Sequence, residues 1–457
     1  MATSDLPGAD DTIAAIATAP GRGAIAIVRM SGPEVTQIAR HVIPSFEAHA
    51  PRVAHLAAVR HPTDDTLLDR ALVTLFPGPH SYTGEDVVEI SVHGGTLVSS
   101  LVLDALIAAG ARQALPGEFT RRAVVNGRMD LLQAEAVADL VDARSRIAHQ
   151  VALSQLDGGL SRRSNELRDA VLDLEALIAY DIDFPEEDEG QVDRGRVGAA
   201  LARAINGLET LLATGDTGEM LREGALVVIG GAPNAGKSSL FNALVGRQRA
   251  IVTDIAGTTR DAIESLIELR RWPVRLVDTA GLRESSDVVE RLGIEISERY
   301  LSEADIVLLC AEDLIALDAL HRQARALTSR PILPVLTKAD LHPNEGGAEQ
   351  EGTVRVSVIS GEGLEVLIAR ISSLLTEKFG MATSETPLLT RERHREAVRA
   401  ARVELMAFRE AWEANDPPSS VAAIHLREAA HHLGELIGSI DVEDVLGRVF
   451  SAFCVGK

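Results

Sequence analysis

Residues 225–241 read ALVVIGGAPNAGKSSLF, and this stretch constrains the fold more tightly than any other. The run from Ala225 to Gly230 has no polar interruption, as expected of a strand buried on both faces. The spacing Gly231-x-x-x-x-Gly236-Lys237-Ser238 then wraps the chain around an anion: backbone N–H groups and a helix N-terminus face the phosphates, lysine reaches the β and γ oxygens, and serine takes Mg²⁺. A strand feeding such a loop needs its helix to cross back over a parallel sheet. The chain beyond supplies the partners, with VRLVDTAG, ADIVLLCA, ILPVLTKAD and VRVSVIS as strands and LEVLIARISSLL as a helix. That alternation predicts an α/β domain ending near Gly380. Its candidate loop residues are Gly231, Asn234, Ala235, Gly236, Lys237, Ser238 and Ser239.

The neighbouring motifs favour guanine over adenine. Asp278, Thr279, Ala280 and Gly281 close a strand, as a Mg²⁺-side and γ-phosphate sensor should, and Thr337, Lys338 and Asp340 follow ILPVL. A carboxylate at Asp340 can accept both guanine N1–H and the 2-amino group, a donor pair that adenine lacks. Thr337 stands where the usual motif has asparagine, and Ser357 to Ser360 only loosely resembles a base-side loop. Hydrolysis needs a group that orients water, yet Leu282 sits where Ras-like proteins carry glutamine. Glu284, Asp287 and Glu290 are the carboxylates available, and spacing does not choose among them. Charge at the transition state needs an arginine or a cation. Arg260 is one candidate; the other is a weakly hydrated monovalent ion on the Asn234 oxygen and the backbone carbonyls of Thr253 to Asp261, a segment that includes Asp254, Ile255, Ala256, Gly257, Thr258 and Thr259.

A formal charge of −22 excludes a broad phosphate-binding surface, so any nucleic acid must meet a local patch or a partner protein. Acid near the N-terminus, the lack of a long apolar run and only two cysteines, Cys310 and Cys454, favour a reducing, cytoplasmic setting. At 457 residues the chain has room for several domains. Strand-like runs around a helix make residues 1–125 α+β, and apolar spacing of three and four then predicts helices over 126–221. Within that region GDTGEMLREG reads as a linker and DIDFPEEDEG as an acidic loop. Helical periodicity returns over 380–457, so the α/β domain at 222–379 reads as an insertion into a discontinuous helical domain.

GRGAIAIVRMSG, SYTGEDVVEISVHGG, PGEFTRRAVVNGRMDLLQAEAV, PNAGKSS, TDIAGTTRD, DTAGLRESSDVVERLGIE and the terminal FCVGK together resemble the MnmE (TrmE) family of tRNA modification GTPases. The resemblance implies a multidomain α/β and α chain: an N-terminal α+β tetrahydrofolate-binding and dimerisation domain, a discontinuous helical domain and an inserted P-loop, Ras-like G domain. It implies potassium-dependent GTP hydrolysis within a homodimer, with Mg²⁺ on Ser238 and Thr259 and K⁺ on Asn234, Thr253, Ile255 and Thr258. It assigns water orientation to Glu290. The implied reaction adds an aminomethyl-type group, such as carboxymethylaminomethyl, at carbon 5 of the wobble uridine of certain tRNAs. The one-carbon unit comes from 5-formyl- or 5,10-methylene-tetrahydrofolate, and an MnmG-like FAD-dependent protein joins in a heterotetramer or larger complex. Folate contacts fall on Arg29, Glu89, Arg128 and Lys457, where Arg128 replaces an expected lysine, and Cys454 becomes a catalytic candidate. The alternative is a regulatory or assembly GTPase without one-carbon chemistry.

Plainer readings apply elsewhere. Cys310 ends an apolar run and is expected to pack as a small hydrophobe. His431 and His432 are adjacent on a helix and do not face one another, so a metal pair is not expected. His93 reads as a turn residue near Glu89, and Arg121 and Arg122 either meet tRNA or offset nearby acids.

Overall fold

The computed structural model describes residues 11–183, 194–231, 234–247, 263–278, 300, 303–341, 352–380, 386–414, 419–438, 449–450, 453 and 456. It divides into two compact units, Met1–Ala138 with Ile437–Lys457, and Asp139–Leu436.

In the first unit, β1 (Ile13–Ile16), β2 (Ile25–Ser31), α1 (Val35–Val42), β3 (His55–Arg60), β4 (Leu67–Phe76), β5 (Val87–His93), α2 (Thr96–Ala108), β6 (Arg112–Gln113), α3 (Glu118–Val125) and α4 (Leu131–Asp142) follow in order. The sheet runs β3-β4-β5-β2-β1-β6, antiparallel except where β6 joins β1. Strand alternation sorts its two faces. Ala14, Ala26, Val28, Met30, Val88, Ile90 and Val92 form one core with Val35, Ile38, Ala39 and Val42 of α1 and the inner side of α2. The intervening residues, Ile13, Ala15, Arg29 and Glu89 among them, therefore belong to the opposite face, where Ile13 and Ala15 pack with Phe119 of α3 and Tyr82.

The second unit holds α5 (Arg146–Leu156), α6 (Gly159–Asp183), α7 (Arg194–Leu212), α8 (Gly215–Glu223), β7 (Ala225–Gly231), α9 (Lys237–Arg247), β8 (Ile263–Leu269), β9 (Trp272–Asp278), β10 (Ile306–Ala311), α10 (Leu314–Leu327), β11 (Ile332–Leu336), β12 (Val354–Arg355), α11 (Leu364–Phe379), α12 (Glu392–Ala414) and α13 (Ser419–Ile437). Its sheet runs β12-β11-β10-β7-β9-β8, parallel apart from β8 on β9. β7 is central. Ala225, Val227 and Ile229 enter one core and Leu226 and Val228 the other, which explains an apolar run without alternation. Helix α7 packs against both α6 and α12.

Two local readings change. The helical periodicity from Met129 does not form one helix: it breaks between α4 and α5, where the Ser145 hydroxyl accepts the Ala148 amide at 3.1 Å and starts a new helix. GDTGEMLREG is not a linker but α8, because Met220 and Leu221 are buried and Arg395 pairs with Asp216 at 3.2 Å and with Glu219.

Candidate functional site

The phosphate loop is built on close packing. β7 ends at Gly231, whose φ is +141° and whose missing Cβ would lie 2.1 Å from the Cys310 carbonyl oxygen, so no side chain fits. Asn234 is exposed, at φ +63°. Helix α9 opens at Lys237, which is buried and donates from Nζ to the Gly231 carbonyl at 3.1 Å. Ser238 and Ser239 are exposed on the first turn. Asp278 ends β9 opposite Ile229 of β7 and is fully buried. Cys310 lies within electrostatic reach of both Lys237 and Asp278; burial pushes its thiol up to about 12, with Asp278 adding to the rise and Lys237 opposing it. A neutral, buried thiol fits the reading of Cys310 as a small hydrophobe.

The segment from Thr337 to Asp340, expected to meet the base, touches this loop directly. The Thr337 hydroxyl donates to the Ala235 carbonyl at 2.9 Å, and its amide donates to the Ala311 carbonyl at 2.9 Å, so a side chain shorter than asparagine ties the two loops together. Lys338 pairs with Glu312. Asp340 is exposed, and one of its carboxylate oxygens accepts the Ser357 hydroxyl at 2.6 Å. Ser357 itself is fully buried, and its oxygen accepts the Ser360 amide at 3.2 Å. The loose match at Ser357 to Ser360 therefore conceals a side chain that fixes Asp340.

On the first unit's sheet, Arg29 stands opposite Glu89, and its Nε and Nη2 reach Glu89 Oε1 at 2.9 and 2.8 Å. The guanidinium also lies 5.3 Å from the Tyr82 ring centroid and 5.7 Å from that of Phe119. Arg128 passes close to Gly84, where a Cβ would meet its Cγ at 3.2 Å. Sequence reasoning missed Tyr82 and Phe119, which are distant from Arg29 along the chain. Beside them Arg122, almost buried, donates to Asp11 Oδ1 at 2.9 Å, Glu85 at 3.2 Å and Glu118 at 3.2 Å. Arg112 adds bonds to Asp11 at 2.7 Å and Glu118 at 2.6 Å. Hydrogen bonding from Arg112 holds the Asp11 carboxyl low. Burial works to raise Glu118, but bonds from Arg112 and the Leu115 amide prevail and lower it. Arg122 thus offsets neighbouring acids, the second of its two readings.

The C-terminal segment belongs to this unit. Phe450 and Phe453 are buried with Ala134, and Gly456, at φ +98°, sits so close to β1 that a Cβ would lie 2.3 Å from the Ile16 carbonyl oxygen. Ala15, the residue before Ile16, is the cross-strand neighbour of Arg29. Thr253, Asp254, Ile255, Ala256, Gly257, Thr258, Thr259, Thr279, Ala280, Gly281, Glu290, Cys454 and Lys457 lie outside the described residues, as do Arg260, Leu282, Glu284 and Asp287.

The description "MnmE helical domain" matches residues 131–454, and "GTP-binding protein TrmE N-terminus" matches residues 12–128. The chain belongs to the MnmE family. Its relatives include the tRNA modification GTPase MnmE of Aquifex aeolicus, 41% identical over 453 residues and covering 98% of this chain and 100% of that protein. That of Akkermansia muciniphila is 44% identical over 448 residues, covering 98% and 99%. Among solved structures, the G domain of the T. maritima FeoB iron transporter aligns with 33% of this chain and 98% of its own at 26% identity, with a TM-score of 0.25, too low to bear on the fold.

In this MnmE-family chain the histidines singled out above pair with carboxylates. His93 bonds Asp69 at 2.8 Å, and His431 and His432 each face Glu435. Among the described residues no cluster of three or more His, Cys, Asp or Glu is arranged to hold a metal, and no helix is long and apolar enough to cross a membrane.

Proposed function

We propose that this chain hydrolyses GTP to drive modification of the tRNA wobble uridine, as its place among tRNA modification GTPases supports. The observation that supports the reading is the tie from Thr337 to Ala235, which holds the phosphate loop against the segment that carries Asp340, as a guanine nucleotide site requires. Gly231, Asn234, Ala235, Gly236, Lys237, Ser238 and Ser239 bind phosphate; Thr337, Lys338 and Asp340 bind the base. The segment from Thr253 to Thr259 and Asp278 to Gly281 cover the γ-phosphate, and Glu290 orients water.

The donor set suits two cations. Ser238 presents an exposed hydroxyl on the first turn of α9 and Asn234 an exposed amide on the loop, both beside the phosphate position. Ser238 and Thr259 hold Mg²⁺, and Asn234, Thr253, Ile255 and Thr258 hold K⁺. When bound, the cations supply positive charge against the phosphate oxygens.

The face formed by Arg29, Glu89 and Tyr82, with buried Phe119 behind Arg29, offers a cation, a carboxylate and one partly exposed ring, which is chemistry that suits a pteridine. There Arg29, Glu89, Arg128 and Lys457 bind a tetrahydrofolate, 5-formyl- or 5,10-methylene-, and Cys454 works beside it; the folate supplies the one-carbon unit. The product carries an aminomethyl-type group at carbon 5. The working form is a cytoplasmic homodimer joined by an MnmG-like FAD-dependent protein. Its domains are 1–125 for folate and dimerisation, 126–221 and 380–457 for the helices, and 222–379 for the G domain.

GTP turnover of the wild type and of Asn234→Ala in K⁺ and in Na⁺ tests the cation assignment. Faster turnover in K⁺, lost in the variant, is the expected result. Equal rates in both salts for the wild type would refute it.

A further inference from the structure

Outside both sites, α7 and α12 enclose a groove of about 580 Å³, within the range that bound small molecules occupy. Its floor is apolar, with Leu201 and Ile205 buried, and its rim is polar. Trp412 stacks on Phe408 with centroids 5.8 Å apart, and the exposed guanidinium of Arg194 lies 5.2 Å from the Trp412 ring centroid. One nitrogen of Arg194 donates to the Trp412 carbonyl at 2.7 Å, which holds the guanidinium in place. Asn206 is exposed at the same groove.

Arg409 sets the groove apart. Three other arginines of α12 have acidic partners: Arg395 with Glu219, Arg399 with Glu392 and Arg402 with Glu209. Arg409 is half-buried, lines the groove and makes no ion pair among the described residues. Glu209 is already neutralised by Arg402 at 2.7 and 2.9 Å, which leaves exposed Glu413 as the one opposing charge on the lining. A half-buried guanidinium with no carboxylate partner favours an anion from outside. A planar guanidinium resting on an indole offers a flat cationic platform, on which an unstacked RNA base can lie.

We propose that this groove binds one nucleotide of the tRNA, its base against Arg194 on Trp412 and its phosphate on Arg409, with Asn206 facing the base edge. A chain of net charge −22 has no general attraction for RNA, so its grip must be local, and this is a local cationic socket with an aromatic support. The site is distinct from the nucleotide loop and the folate face. It shares with the proposed function only that the chain handles tRNA.

The two tryptophans make the test direct, because Trp272 is fully buried and Trp412 is accessible. Full-length protein is titrated with an unmodified tRNA transcript carrying a wobble uridine, and acrylamide quenching of tryptophan emission is followed. Shielding of the accessible component on tRNA addition is expected. Arg409→Gln should raise the tRNA Kd roughly tenfold and lower the slope of log affinity against log salt by about 0.7 to 1, with Arg409→Lys in between. Circular dichroism confirms the fold of each variant, and the lysine variant serves if the glutamine one unfolds. tRNA binding without shielding of Trp412, or with unchanged affinity and salt slope in a folded Arg409 variant, would overturn the proposal. Shielding by a partner protein and not by tRNA would also overturn it, and would assign the groove to that protein.

Discussion

Ser357 donates to Asp340 and thereby fixes the carboxylate that the proposed site uses to select guanine. Asp340→Asn exchanges an acceptor pair for one acceptor and one donor, which suits a base with a carbonyl where guanine has its amino group. GTP affinity should fall by roughly a hundredfold while xanthosine triphosphate gains, as competition binding would show. Unchanged GTP preference would remove Asp340 from the base site. Cys310 gives a pH prediction with a definite sign. Its folded pKa is raised to about 12 from 9.0, so the folded state holds its proton longer than the unfolded one, and the stability this confers is complete below 9.0 and is lost as pH climbs. Between those values wild-type stability should fall more steeply than that of Cys310→Ala, by up to about 1.4 kcal/mol per pH unit, measured by urea unfolding. The phosphate loop was legible in the sequence because anion binding fixes both residue types and spacing. The Ser357 and Thr337 bonds were not, since each reaches a partner brought near only by the fold.

At the scale of elements, β7 announced itself by an apolar run that only a strand buried on both faces tolerates. Helix α8 did not, because its glycines read as a linker and its burial depends on Met220 and Leu221 finding their cores. Helix α3 and strand β6 are joined through Glu118 and Arg112, whose partners Asp11 and Arg122 complete a network in which Glu118 and Arg122 are buried and Arg112 and Asp11 are partly exposed. Glu118→Gln removes one charge from it and should cost roughly 1–2 kcal/mol in denaturant unfolding, because water screens the partly exposed Arg112 and Asp11. Because Glu118 and Asp11 are held below their ordinary values, their contribution is present above the unfolded carboxyl range and is lost as pH falls through their folded pKa values. Acid titration of the wild type should therefore show a stability loss that the variant shows less. The terminal segment gives the third test at this scale. Gly456→Ala places a methyl group against the Ile16 carbonyl at a backbone angle that alanine resists, so the tail should leave β1. Wobble-uridine modification should drop at least tenfold while GTP turnover continues; intact modification by the folded variant would break the proposed link between the tail and one-carbon chemistry.

For the molecule as a whole, sequence patterning revealed where strands alternate with helices and where helices run alone, because period and burial follow from local composition. The grouping of Ile437–Lys457 with the N-terminal sheet was beyond it: Phe450 and Phe453 look like any apolar pair until Ala134 is beside them. The proposed function rests on GTP hydrolysis in one unit being required for chemistry on tRNA by the other. Lys237 closes on the phosphate loop through the Gly231 carbonyl, so Lys237→Ala removes nucleotide chemistry at its source. The direct measurement is mass spectrometry of tRNA nucleosides from cells whose only copy of this chain carries Lys237→Ala, with protein level checked against wild type. Loss of the carbon 5 modification at the wobble uridine is the expected result. Full modification, with a purified variant that turns over no GTP, would contradict the coupling.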